Sequence, residues 1–277
     1  MRFKLRKLRD RPPAGSPPGV YVWRPGPNAH NFGDSLFLAI VNRILDQELE
    51  PSPPDYSGRL FYPGGSVLHL CRERDIAWGI GANLNASRWR GRRRFATSLD
   101  IRSVRGPLTA AFVRDFLELP EPRVGGDPAV LAPRLFREWS EIQSCGSVGL
   151  VQHYSDPVDA KGISEEVQVI DPLRDPMIVV PEILSCDLVV SSSLHGIIVA
   201  ESFGIPARWL RAETGGPASM KFYDYYLWTG RAPRPADSPV EAMRAGGEPL
   251  PDIDDEVLLE TFPWDAYPRP ESLDSRA

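Results

Sequence analysis

Apolar side chains along this chain follow two alternating patterns: short unbroken runs, and longer stretches with an apolar residue at every third or fourth position. In the first half the runs Val20–Trp23, Leu60–Tyr62, Ile76–Ile80 and Ile101–Val104 predict buried strands. Between them, Phe37, Ile40, Val41, Ile44 and Leu45 have helical spacing, with Asp34 as the predicted N-cap and Pro51, Pro53 and Pro54 as the stop. Pro63-Gly64-Gly65-Ser66 ends one strand and opens a short helix. Another helix starts at Pro107, with Leu108, Phe112, Phe116 and Leu119 on its inner face. The second half repeats the alternation. Strands are predicted at Ser147–Val151, Val167–Ile170, Leu188–Ser191 and Ala207–Leu210. Helices are predicted at Pro181–Ser185 and from near His195 to Phe203, the latter closed by Gly204.

Strands alternating with helices imply an α/β fold with parallel sheets flanked by helices. The polar break at Ser140–Gly146 suggests two Rossmann-like domains, residues 20–140 and 141–231, with a cleft between them. A basic, Pro-rich segment (1–19) precedes them. An acidic, Pro-rich tail (232–277) either packs back over the body or is partly mobile. In doubly wound domains, ligands bind beyond the carboxyl ends of the strands, and the polar turns of this chain fall there.

Composition narrows the class. With 42% hydrophobic and 25% charged residues the chain reads as a globular protein, and no apolar run approaches the ~20 residues of a membrane span. Residues 1–11 hold six basic side chains and one acidic one, with no apolar core after them. No secretory leader is therefore expected; the basic start is either a solvated terminus or a peripheral contact with an anionic membrane face. Three cysteines without metal-ligand spacing argue against both a disulfide framework and a metal site, and point to a reducing, cytoplasmic location. A net charge of −5 gives no reason to expect nucleic acid as a partner.

The chemistry is expected at Ser191-Ser192-Ser193-Leu194-His195-Gly196, a strand-to-helix turn where free N–H groups and the helix dipole favour an anion. His195 could bind that anion or move a proton near neutral pH. Arg105, between a strand and Gly106-Pro107, could grip a carboxylate or phosphate bidentately, or simply pair with the Asp115–Glu118 region at the surface. Within Asn31–Asp34, Asp34 is a helix cap, a base or a binder of sugar hydroxyls. Gly64-Gly65-Ser66 is a turn that either cradles a phosphate or simply reverses the chain, Asp127 lies on a turn before Pro128, and His153 ends a strand where it could face the cleft.

Together these pieces resemble the polysaccharide pyruvyl transferase family. The resemblance rests on Asn31-Phe-Gly-Asp34, Gly64-Gly65-Ser66, Trp78-Gly-Ile-Gly81, Val104-Arg-Gly-Pro107, Gly126-Asp-Pro-Ala129 and Ser191–Gly196 with Ala200–Pro206. Lys221-Phe-Tyr-Asp-Tyr-Tyr226 also looks familial. The resemblance implies a two-domain, GT-B-like fold and phosphoenolpyruvate as donor and co-substrate, with no other cofactor. It further implies a cyclic pyruvate ketal on a sugar, with Arg105 and His195 contacting the donor. The expected acceptor is a bacterial exopolysaccharide or lipid-linked repeat unit at the inner membrane face. His195 and Asp34 are then the candidate catalytic pair. Donor binding falls to Arg105, Ser191, Ser192, Ser193, Leu194 and Gly196, and acceptor contacts to Asn31, Gly65, Ser66, Asp127, His153 and the loop Asn83–Phe95. Some members carry arginine where this chain has Ser193, so Arg208 or Arg211 could supply the missing charge. The alternatives are a GT-B glycosyltransferase using a nucleotide sugar and a non-catalytic saccharide-binding homologue.

Overall fold

The computed structural model describes residues 16–26, 30–53, 55–89, 98–155, 167–211 and 219–270. The basic stretch 1–11 and part of the proposed acceptor loop, residues 90–95, lie outside them. The chain begins with β1 (Gly19–Val20), α1 (Phe32–Leu45), β2 (Leu60–Tyr62), β3 (Ile76–Ala77), β4 (Asp100–Ile101) and β5 (Ser103–Val104). It continues through α2 (Pro107–Asp115), β6 (Arg123–Val124), α3 (Ala132–Leu135), β7 (Ser147–Val151) and β8 (Val167–Ile170). After these come α4 (Pro176–Leu184), β9 (Cys186–Ser191), α5 (Leu194–Ser202) and β10 (Ala207–Trp209). The helices α6 (Met220–Trp228), α7 (Pro239–Ala245) and α8 (Glu256–Thr261) complete the described chain.

All strand pairings in the sheets are parallel. One sheet has the order β1-β2-β3-β4, a second β10-β9-β7-β8, and β5-β6 form a third, small one. Parallel strands need crossovers, and the crossing helices cover the sheet faces. The main hydrophobic core draws on both halves of the chain: Phe32, Leu36 and Ile40 of α1 join Val189 of β9, Ile197 and Ile198 of α5, and Leu258 and Phe262 near the C-terminal end. Helix α1 packs on α3 and α4, and the Phe32 N–H donates to the Pro172 carbonyl at 2.9 Å. Trp78 Nε1–H donates to the Leu258 carbonyl at 2.8 Å, which ties α8 to the end of β3. Among the described residues no helix is long and apolar enough to cross a membrane.

Three local expectations are corrected. The run Ile101–Val104 is not one strand. It divides at Arg102 into β4, paired with β3, and β5, paired with β6. Buried Ser103 accepts the Gly79 N–H at 3.1 Å as the chain changes partner. The helix at Pro181 starts earlier, at Pro176, because Asp175 caps it by accepting the Met177 N–H at 2.8 Å. Asp34 does not cap α1. Asn31, in extended conformation, holds the N-cap position, which places Asp34 in the first turn with its carboxyl turned inward.

Candidate active site

The strand-end turns converge on a cavity of about 270 Å³. Asn31 and Asp34 reach it from the start of α1, Ser66 from the turn after β2, and Arg105 from the end of β5. His153 follows β7, Ser193, Leu194 and His195 open α5, and Lys221 lies in the first turn of α6. Trp23 and Tyr154, with ring centroids 5.2 Å apart, form an aromatic part of the wall. His69 and Arg88 complete one side, and Arg88 Nη1 lies 3.4 Å from His69 Nε2.

Arg105 is not a surface arginine. It is 1% exposed, and Asp115, its proposed partner, pairs with Arg114 instead. Its Nη1 donates to Ser66 Oγ at 3.2 Å and lies 3.9 Å from Asp127 Oδ2, while its Nε lies 3.5 Å from Asp224 Oδ2. Asp224 in turn accepts the N–H groups of Leu108 and Thr109 and the Thr109 hydroxyl at 2.9, 3.1 and 2.6 Å. One carboxylate therefore holds the start of α2 to α6 and faces the guanidinium. Gly81 makes room for this arginine: a Cβ there would lie 2.2 Å from Nη2.

His195 stands edge-on to Phe37, with centroids 5.2 Å apart, and its Nε2 lies 3.8 Å from Asp127 Oδ2. Burial, together with the charges of Lys221 and Arg105, pushes its pKa down to about 3. The imidazole is therefore neutral at pH 7. His153 is likewise pushed down to about 3 by burial and by Lys221. Burial raises Asp34 to about 7, opposed by Lys221 and by the hydrogen bond that Asn31 Nδ2 donates to its Oδ2 at 2.5 Å. Burial and Arg105 lower Lys221 to about 8, while Asp34 opposes the shift. At neutral pH Arg105, Arg88 and Lys221 keep the wall positive, and Asp34 sits near its titration point.

Other candidates lie behind the wall. Ser191 Oγ lies 2.8 and 2.7 Å from the Val151 and Ser193 carbonyls and accepts the Ser193 N–H at 3.0 Å. Ser192 Oγ accepts the His153 N–H at 2.9 Å. These hydroxyls shape the turn and do not point into the cavity. Gly65, Asp127 and Gly196 also stand outside the lining. Arg208 and Arg211 do not replace the missing arginine. Arg208 is buried against Glu248 at 2.6 Å, and Arg211 pairs with Asp237 at 2.9 Å. Lys221 is the cation that lines the cavity together with Arg105 and Arg88. One signal for it lies in the sequence, since it is one of 4 lysines among 32 basic residues. Among the described residues no group of three or more His, Cys, Asp or Glu side chains could hold a metal ion.

Fold and cavity define an α/β protein with a cationic pocket at the carboxyl ends of parallel strands, where an imidazole and a carboxyl group meet. The chain belongs to the polysaccharide pyruvyl transferase family, whose sequence profile matches residues 31–213. It is 34% identical over 161 residues to the succinoglycan biosynthesis protein ExoV of Rhizobium meliloti, covering 53% of this chain and 47% of that protein. It is 33% identical over 169 residues to the uncharacterized protein L143 of Acanthamoeba polyphaga mimivirus, covering 58% and 57% of the two chains. The chain thus spans about half the length of these curated relatives. A crystal structure of the uncharacterized protein KP1_0663 from Klebsiella pneumoniae aligns with a TM-score of 0.49 at 11% identity, covering 79% of this chain and 93% of that one.

Proposed function

We propose that the protein transfers the pyruvyl group of phosphoenolpyruvate onto two hydroxyls of a sugar, forming a cyclic ketal and releasing phosphate. The acceptor is a saccharide of exopolysaccharide assembly, carried as a lipid-linked unit at the cytoplasmic membrane face. The observation that carries this reading is the meeting of Arg105, Lys221, His195 and Asp34 on one cavity. A phosphorylated carboxylic acid is densely anionic, and fixed cations in a low-dielectric pocket suit it. The relative named for succinoglycan biosynthesis supports a saccharide acceptor.

Arg105 and Lys221 hold the donor's phosphate and carboxylate. Both cations depress the affinity of His195 for a proton. A bound polyanion offsets them, so donor binding charges the imidazole. His195 then protonates the methylene carbon, and cationic character develops at C2. A sugar hydroxyl attacks C2 as Asp34 takes its proton; a carboxyl titrating near 7 suits this role. The second hydroxyl closes the ketal as phosphate leaves carrying the second proton. Trp23 and Tyr154 offer the sugar an apolar face beside the reacting centre.

Thermal-shift titration with phosphoenolpyruvate, UDP-glucose and GDP-mannose tests the donor, and phosphate release in the presence of succinoglycan-type oligosaccharides tests the reaction. Stabilisation by phosphoenolpyruvate alone with acceptor-dependent phosphate release is expected. Stabilisation by a nucleotide sugar alone would assign glycosyl transfer. Saccharide binding with no response to phosphoenolpyruvate would assign a non-catalytic role.

A further inference from the structure

Behind the cavity lie buried polar atoms that the chemistry above leaves without hydrogen bonds. Asp127 is fully buried, and its two oxygens are used differently. Oδ1 accepts the Ala129 N–H at 3.1 Å and so holds the turn that follows. Oδ2 accepts no hydrogen bond, although it lies 3.8 Å from His195 Nε2 and 3.9 Å from Arg105 Nη1. His195 Nε2 is buried without a hydrogen bond too, as are Nε and Nη2 of Arg105. Buried polar atoms in folded proteins are nearly always satisfied, so such a cluster calls for a reason.

We infer that Asp127 is a positioning residue: its Oδ2 receives the Nε2–H of His195, selects that tautomer, and leaves Nδ1 as the nitrogen with the free lone pair. The 3.8 Å gap is about 1 Å longer than a hydrogen bond and closes with a small rotation of the ring or the carboxylate. The other charged or titratable groups acting on the ring are Lys221 from α6, Arg105 from the end of β5 and His153 after β7. The two cations can donate but cannot accept. Asp127 is therefore the negative acceptor for Nε2–H, whereas an unprotonated Nε2 would set a lone pair against a carboxylate. The opposite edge of the ring, at Nδ1, rests on Gly33, where a Cβ would fall 1.8 Å away. A carboxylate that orients a histidine works through its tautomer, and converting such a carboxylate to an amide inverts the preference. The tautomer stands independently of the pyruvyl-transfer reading.

The test is the ¹⁵N spectrum of histidine-labelled full-length protein at neutral pH without ligand. The chain has 4 histidines, and His195→Ala identifies the signal of interest by its loss. In the wild type, Nε2 is expected to be protonated and Nδ1 bare. In Asp127→Asn the amide oxygen stays on the Ala129 N–H and the NH₂ faces the ring, so the tautomer is expected to invert. A wild-type His195 carrying its proton on Nδ1 would overturn the inference, as would a folded Asp127→Asn variant with an unchanged tautomer. Should that variant not fold, the wild-type spectrum still decides. Neither spectrum needs donor or acceptor. Failure of ketal formation would therefore refute the proposed function and leave the tautomer assignment standing.

Discussion

Gly33→Ala separates the packing of His195 from the stability of the fold. Gly33 is the second residue of α1 and is buried, and an added Cβ would lie 1.8 Å from His195 Nδ1 and 2.2 Å from its Cγ. Non-bonded carbon contacts settle near 3.5 Å, so the imidazole must retreat by roughly 1.5 Å. Phe37 stands edge-on to the ring at 5.2 Å and Phe32 at 6.4 Å, so the ring must shift within a packed surround. Overpacking of this kind costs about 1–3 kcal/mol, while alanine in a helical position regains up to about 1 kcal/mol over glycine. The net loss is therefore about 0–3 kcal/mol, a fall of up to several degrees in Tm for a chain of this size. Activity should suffer far more, because a displacement of about 1 Å at a reacting group costs about 100-fold. The assay is acceptor-dependent phosphate release from phosphoenolpyruvate, run beside calorimetry of the same preparations. Unchanged turnover would refute the packing argument, and so would a stability loss well above about 3 kcal/mol.

Further outcomes follow from Arg105, Lys221 and Asp34. Arg105→Ala should unfold readily, by about 3–5 kcal/mol in denaturant titration, because Asp127 and Asp224 are left buried without their cation. Arg105→Lys should fold, with a raised KM for phosphoenolpyruvate as the bidentate grip is lost. Lys221→Met should weaken phosphoenolpyruvate binding by calorimetry and raise the pKa of His195, seen by NMR titration, because Lys221 is one of the charges holding it down to about 3. For Asp34, the folded pKa of about 7 lies above the ordinary 3.8. Its contribution to stability is therefore fully present below 3.8 and is lost as pH rises through 7. Asp34→Asn should raise Tm relative to wild type at pH 8, the gain shrinking towards pH 4, while turnover falls; an equal Tm difference at both pH values would refute the assignment.

Much of the fold was legible because strands and helices announce themselves locally. Leu60–Tyr62, Ser147–Val151 and Val167–Ile170 are apolar or alternating runs bounded by polar or turn residues, and each forms a strand with those bounds. The division of Ile101–Val104 between two sheets was not legible, because a change of strand partner depends on which backbone lies alongside. The start of α1 was misread for a related reason. Asn31 and Asp34 are both good caps, and the sequence does not say which of the two turns inward. Gly33 and Gly81 carry no chemistry of their own, and their meaning emerges only beside the rings of His195 and the guanidinium of Arg105.

By itself the order of residues determined the alternation of strand and helix, hence parallel sheets, and hence strand-end turns gathered at one edge. Those consequences follow from hydrogen-bonding period and turn chemistry, which act over a few residues. Only the tertiary structure decided that Lys221 faces the cavity while Arg208 and Arg211 do not, that Ser191 and Ser192 support the turn, and that Asp127 lies between His195 and Arg105. Charge interactions and desolvation depend on distance and burial in space. Residues 94 positions apart in the chain, such as Asp127 and Lys221, therefore come to lie around one imidazole only after the chain has folded.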